Sequence, residues 1–311
     1  MKTPIRFTAL ALSMLLASAA AMAADLKVGV TFSSFDDNYL TSVRGYMEQH
    51  VKSLPKGDGV QLQFEDARAD VVKQLSQVES FISQKVDAII VTPVDTASTA
   101  RISKAATEAG IPLVYVNRRP DQKDLPKGVA AVTSDDEEAG RLQMQYIAEK
   151  MGGKGNIVIL LGDLANNSTT NRTKGIKDVL KKYPDIKIEQ EQTGIWLRDR
   201  GMTLTNDWLT QGREFNAVLS NNDEMAIGAA MALKSAGTKP GSVLIAGVDG
   251  TRDGLNAIEK GEMTVSVFQD AKGQGVGSVD AARQLAKGET IEQNIVIPFQ
   301  LITPENVKDF K

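Results

Sequence analysis

Hydrogen-bonding side chains recur in this chain directly behind short apolar runs. The run 26–31 is followed by Phe35-Asp36-Asp37-Asn38-Tyr39, and the run 113–116 by Asn117-Arg118-Arg119. Behind 157–161 comes Asp163-Leu164-Ala165-Asn166-Asn167-Ser168, leading to Arg172, and behind 186–190 comes Gly194-Ile195-Trp196. Asn221-Asn222-Asp223, Asp249-Gly250 and Gln269-Asp270 follow three later runs. Carboxylate and amide oxygens accept hydrogen bonds from hydroxyls and guanidinium groups donate to them, while an aromatic face covers C–H groups. Brought together, these groups suit a polyol or a sugar. Each also has a plainer reading: Asn and Asp cap helices, and arginine is usually a surface charge and tryptophan usually largely buried. Repetition of the pattern at successive strand ends favours a ligand.

Other chemistries are poorly supplied. With no cysteine there is no disulfide, thiolate nucleophile or Cys-containing metal site. The single histidine, His50, lies late in a helical pattern and reads as a surface residue. No G-x-S-x-G elbow accompanies it, so a Ser-His-Asp triad has no support. No G-x-G-x-x-G follows a strand and no G-x-x-x-x-G-K-[ST] occurs, so neither a dinucleotide nor a nucleotide cofactor is expected. The stretch from Asp163 resembles a calcium loop but has Lys174 where the bidentate Glu belongs, so no metal is expected. Net charge is −3, with both signs interspersed and no basic stripe for nucleic acid. Paired carboxylates such as Asp37 and Asp249 keep one enzymatic rival open, an exported carbohydrate-active enzyme.

The elements that must hold these loops read as strand then helix, repeated. Apolar runs at 26–31, 62–64, 88–91 and 113–116 alternate with helical patterns at 40–51, 71–82 and 96–109. Gly110 and Pro112 stop the last helix before its strand. The series restarts at 129–132 and continues through strands at 157–161, 186–190, 217–220, 243–248 and 263–268, with helices between them and a final strand-like segment at 295–302. That alternation predicts an α/β fold of two doubly wound, parallel-sheet lobes. Ligands of such sheets sit at the carboxyl ends of the strands, which is where the polar loops fall. Lys2 and Arg6, the apolar run 7–21 and Ala21-Met22-Ala23 read as a secretory signal peptide over residues 1–23. The expected product is an exported, soluble chain beginning near Ala24.

These residues carry a resemblance. Asp36-Asp37-Asn38-Tyr39, Asn117-Arg118, Trp196, Asn221-Asn222-Asp223-Glu224-Met225-Ala226 and Gly247-Val248-Asp249 resemble the periplasmic sugar-binding proteins of the galactose and ribose type, over essentially all of 25–311. The resemblance implies two Rossmann-like lobes joined by a three-strand hinge: 24–132 with 271–296, and 133–270 with 297–311. It implies that Asp37, Asn117, Arg172, Asn222, Asp249 and Gln269 bond ligand hydroxyls while Tyr39 and Trp196 sandwich the ring. Arg118 matches an arginine of the ribose branch and Asn117 an asparagine of the hexose branch. The hexose branch has His and Asp where this chain has Asn166-Asn167-Ser168, and its calcium loop has no room at Gly152-Gly153-Lys154-Gly155. The chain therefore looks nearer the inositol- and rhizopine-binding relatives, with Arg118, Asn166 and Gln269 deciding among polyols. Myo-inositol is the implied ligand, with ribose or galactose as the alternative. The implied partners are an inner-membrane ABC permease with its ATPase and, on a sensory reading, a chemoreceptor. The implied state is a monomer in the periplasm, without enzymatic activity. A repressor effector domain shares the fold, but no helix-turn-helix precedes Asp25.

Overall fold

A computed structural model describes residues 25–55 and 58–311. The expected signal peptide lies outside the described residues. Among them, no helix is long and apolar enough to cross a membrane, and no cluster of His, Cys, Asp and Glu is arranged to hold a metal.

The first lobe contains β1 (Leu26–Phe32), α1 (Asn38–Ser53), β2 (Val60–Asp66), α2 (Val71–Ser83), β3 (Ala88–Val91), α3 (Thr99–Glu108), β4 (Leu113–Asn117) and β5 (Val129–Thr133). Strands β3, β4 and β5 are buried at every residue, as expected of parallel strands covered on both faces. Helix α1 closes one face, with Leu40, Val43 and Met47 packed on Val28, Val30 and Val114. Helices α2 and α3 close the other through Val78, Phe81 and Ile102.

The second lobe runs α4 (Asp136–Lys150), β6 (Lys154–Leu161), α5 (Asn167–Leu180), β7 (Asp185–Thr193), α6 (Arg198–Thr210), β8 (Ala217–Ser220), α7 (Asp223–Ser235), β9 (Leu244–Ala246), α8 (Arg252–Glu259) and β10 (Ser266–Phe268). The chain then returns. Helix α9 (Ala271–Ala286) packs beside α1 and β11 (Asn294–Val296) pairs in parallel with β5, whereas β12 (Gln300–Ile302) crosses back to pair antiparallel with β10. The expected single strand 295–302 is thus two strands in two sheets, broken at Pro298, which lacks a ladder donor.

The sheet orders are β2-β1-β3-β4-β5-β11 and β7-β6-β8-β9, the latter extended toward β10 by the bridges Ala246–Val265 and Asp249–Phe268. In each lobe strand order reverses once, between β1 and β3 and between β6 and β8, and the crevice at such a switch point is where open α/β sheets bind ligands. The chain passes between lobes at 133–136, 268–271 and 296–300, on the side of β5 and β11. Two glycines matter to the site. A Cβ on Gly140 would strike the Arg172 backbone, and one on Gly175 would strike that of Glu137, so α4 and α5 approach backbone to backbone. His50 is half-buried, not a free surface residue: its Nε2 bonds Asp280 of α9 at 2.8 Å.

Candidate functional site

The loops behind β1, β4, β6, β7, β8, β9 and β10 meet between the lobes. A narrow cavity there is lined by Asp37, Tyr39, Asn117, Arg118, Ser168, Arg172, Trp196, Asn222, Asp249 and Gln269. Nine of the ten residues singled out in the sequence are on that wall. The exception is Asn166, and Ser168 is the addition.

Asp37 is the N-cap of α1, Oδ1 accepting from Leu40 N at 3.0 Å, which leaves Oδ2 uncommitted among the described residues. Asn38 reaches across the lobes and donates to Glu224 Oε1 at 2.8 Å. Tyr39 is buried, and its hydroxyl has no hydrogen-bond partner among the described residues. Burial, then the neighbouring Asp249 charge, push that hydroxyl well above its ordinary pKa.

Asn117 sits at the end of β4 in the left-handed region at φ 69. Its Nδ2 donates to Gln274 Oε1 at 3.2 Å, and Gln274 Nε2 donates in turn to Ser134 Oγ at 3.1 Å. Next to it, Arg118 is buried, and its guanidinium has one partner among the described residues, the Pro93 carbonyl at 2.8 Å. Burial lowers its pKa, while Asp37 and Asp163 oppose that shift.

Arg172 is the other buried arginine, and each of its three nitrogens has a protein partner. Nε bonds Asp136 Oδ1 at 2.8 Å, NH1 bonds the Asn221 carbonyl at 2.6 Å and NH2 bonds Gln269 Oε1 at 3.0 Å. Burial disfavours its charge, but Asp136 and Asp249 outweigh that and raise its pKa. The close α4–α5 packing at Gly140 and Gly175 is what brings Asp136 within reach. Asp136 and Gln274 are thus supporting residues the sequence reading left out, and Asn221, quoted there only within its run, is a third support. Asp136 and Gln274 follow lobe crossings, where no strand-end pattern points to them.

Trp196 follows Ile195 in the left-handed region, at φ 70 and 47. Its indole lies against Gly162, where any Cβ would overlap the ring. Indole Nε1 donates to Asn166 Oδ1 at 3.2 Å, and Asn166 Nδ2 donates to Val94 O of the other lobe at 2.9 Å. That corrects the placement of Asn166, whose amide is committed at both ends behind the wall. Asn222 caps α7 through Oδ1 to Met225 N and holds the Trp196 carbonyl through Nδ2.

Asp249 is buried at φ 123, with the Arg172 guanidinium 3.6 Å away. Burial pushes its carboxyl well above the usual range, against the pull of Arg172. It is no helix cap; Thr251 caps α8. Asp223 is no cap either. It accepts from Thr251 N, Thr251 Oγ and Ser266 Oγ, and burial raises it to about 6.

Such a wall offers amide, carboxylate and guanidinium groups beside two aromatic rings, the chemistry that suits a small hydroxylated molecule. The periplasmic binding protein domain model matches residues 28–290. The chain belongs to that family. It is 50% identical over 287 residues (91% of this chain, 92% of the relative) to a Rhizobium meliloti protein provisionally described as rhizopine-binding. It is 38% identical to a xylitol-binding protein of Mycolicibacterium smegmatis, covering 90% of this chain and 78% of the relative. The crystal structure of an ABC transporter solute binding protein from Bacillus halodurans with bound myo-inositol superposes at a TM-score of 0.87, with 39% identity, over 93% of this chain and 98% of that one. These relatives are substrate-binding proteins, not enzymes. The chain is a periplasmic sugar-binding protein of the ABC-importer kind, and the two-lobed fold expected from its sequence is the family's fold.

Proposed function

We propose that this protein binds one cyclic polyol, myo-inositol foremost, between its lobes and presents it to an inner-membrane ABC permease. The observation that carries the reading is Arg118: a buried guanidinium with a single carbonyl partner among the described residues, on one wall with Asp37, whose Oδ2 is uncommitted there, and with Asp249, whose carboxylate has only the Arg172 contact at 3.6 Å. Buried charges need partners, and vicinal hydroxyls supply acceptor and donor together. Asp37, Asn117, Arg118, Asn222, Asp249 and Gln269 contact the hydroxyls, Tyr39 and Trp196 cover the ring faces, and Arg172 with Asn166 holds those groups in place. Relatives named for rhizopine and xylitol, and one structure holding myo-inositol, support a polyol.

The lobes 24–132 with 271–296, and 133–270 with 297–311, turn about the three crossings, and export follows cleavage of the signal peptide near Ala23. Hydrogen bonds to charged groups contribute about 1.5–3 kcal/mol each, and micromolar affinity needs only about 8.2 kcal/mol net. A few such bonds therefore suffice after association costs. The test is a thermal-shift panel of inositols, pentoses and hexoses. A ligand at about 100 times its Kd adds about 2.7 kcal/mol of stability. Stabilisation by ribose or galactose without inositol would replace this reading with the pentose or hexose one.

A further inference from the structure

Behind β3 and β4 the first lobe bonds directly to the start of α5 in the second. Thr96, 2% exposed, donates from its N and its Oγ1 to the Ala165 carbonyl, at 3.2 and 3.4 Å. The same Oγ1 accepts from Asn167 N at 3.2 Å. Asn167 Nδ2 donates to the Arg119 carbonyl at 2.7 Å and to Asp121 Oδ1 at 2.8 Å. We propose that Asn167, with Thr96 and Asp121, forms a clasp that sets ligand affinity without touching ligand, by holding the lobes shut around it. The inference rests on the reading that a polyol binds between the lobes, but not on which polyol it is.

Placement separates this clasp from the ligand wall. Thr96, Asp121 and Asn167 line neither the inner cavity nor the ≈ 660 Å³ cleft continuous with it. Other bonds cross between the lobes, but their residues have second roles. Asn38 and Glu224 line the cleft, and Asn166, which bonds Val94 O, also orients Trp196. Asn167 makes no cap for α5, whose N-cap is Asn166. Its amide is committed to the opposite lobe alone, so lobes that turn apart about the three crossings must break both of its bonds.

Each half of the clasp is shaped within its own lobe. Asp121 N donates to the Thr96 carbonyl at 3.2 Å, which ties the loops behind β3 and β4 together. In the second lobe Asp163 Oδ1 accepts from Ala165 N at 2.9 Å, and the Asp163 carbonyl accepts from Thr169 Oγ1 at 2.7 Å. These bonds survive a rigid rotation of the lobes, so both halves stay preorganised and little further ordering opposes closure. Bonds made only in the closed state raise its population, and apparent affinity follows the population of the binding-competent state. Because they form after the ligand has entered, they slow release rather than speed capture.

Titration calorimetry and stopped-flow Trp196 emission on the mature protein test this, with myo-inositol, ribose and galactose as ligands and Trp208→Phe as background. Asn167→Ala removes two bonds and leaves a good helix former at the start of α5. Every ligand that the parent protein binds should weaken by one common factor of about tenfold, the worth of two net hydrogen bonds. The loss should lie in faster release, with the association rate within about twofold. Asp121→Ala should weaken binding about threefold, and adding it to Asn167→Ala should change nothing further, since the two share a bond. Unchanged affinity in Asn167→Ala, or a loss confined to the association rate, overturns the clasp and leaves the polyol reading standing. A loss that differs from ligand to ligand makes Asn167 a wall residue and overturns it equally. If the parent protein binds none of the three, both readings fall.

Discussion

Indole Nε1 of Trp196 donates to Asn166 Oδ1 at 3.2 Å, and the same amide bonds Val94 O of the opposite lobe at 2.9 Å. One side chain therefore orients an aromatic wall of the cavity and ties the lobes together. Asn166→Ala removes both bonds. At about 0.5–1.5 kcal/mol each, ligand affinity should fall roughly tenfold with little loss of fold. With Trp208→Phe as background, the Trp196 emission of Asn166→Ala should shift without ligand. An unmoved spectrum and unchanged calorimetry would show that the bond positions nothing.

The two buried arginines should separate stability from binding. Arg172→Ala strands Asp136 in the interior, and breaking a buried pair costs about 3–5 kcal/mol, readable as a lower urea midpoint. Arg118 leaves only one carbonyl without its donor. Arg118→Met should keep stability within about 1 kcal/mol while affinity falls at least about tenfold. Equal destabilisation by the two variants would contradict the bonding described.

Asp249 and Asp223 predict an inverted pH dependence. Both carboxyls are raised by burial, Asp223 to about 6 and Asp249 well above the usual range. Their stability contribution is complete below the unfolded-state value of about 3.9 and is lost as pH rises through the folded one. Asp249→Asn should therefore raise the melting temperature of the ligand-free protein most at about pH 7, with the gain shrinking toward about pH 5. Ligand affinity of the same variant should drop. A lower melting temperature at neutral pH would reverse the sign and refute the burial argument.

Gly162 is where the indole lies on bare backbone. A methyl group in Gly162→Ala must displace the half-buried Trp196 ring, so affinity should fall about tenfold or more while the melting temperature moves by only a few degrees. Ultraviolet circular dichroism in the aromatic region, with and without ligand, reads the displacement.

Much of this was legible because parallel sheets impose a simple grammar. Runs such as 88–91 and 113–116 are apolar throughout since both faces are covered, and the loop behind each strand lies on the binding edge. Hence Asp37, Asn117, Trp196 and Asp249 stood out without coordinates. The reading weakened where a residue acts through another. Asn166 looked like a wall residue and is a tie behind the wall, while Asn38, quoted only as part of its loop, reaches the other lobe.

The sequence by itself determined the two-lobed α/β architecture and nearly the whole list of wall residues, because strand periodicity and strand-end chemistry are local. Tertiary structure alone decided which donors remain free. Arg118 and Arg172 are alike in sequence, yet the backbone contact of α4 with α5 presents Asp136 to one and nothing comparable to the other. That pairing joins residues far apart in the chain, and no local pattern encodes it.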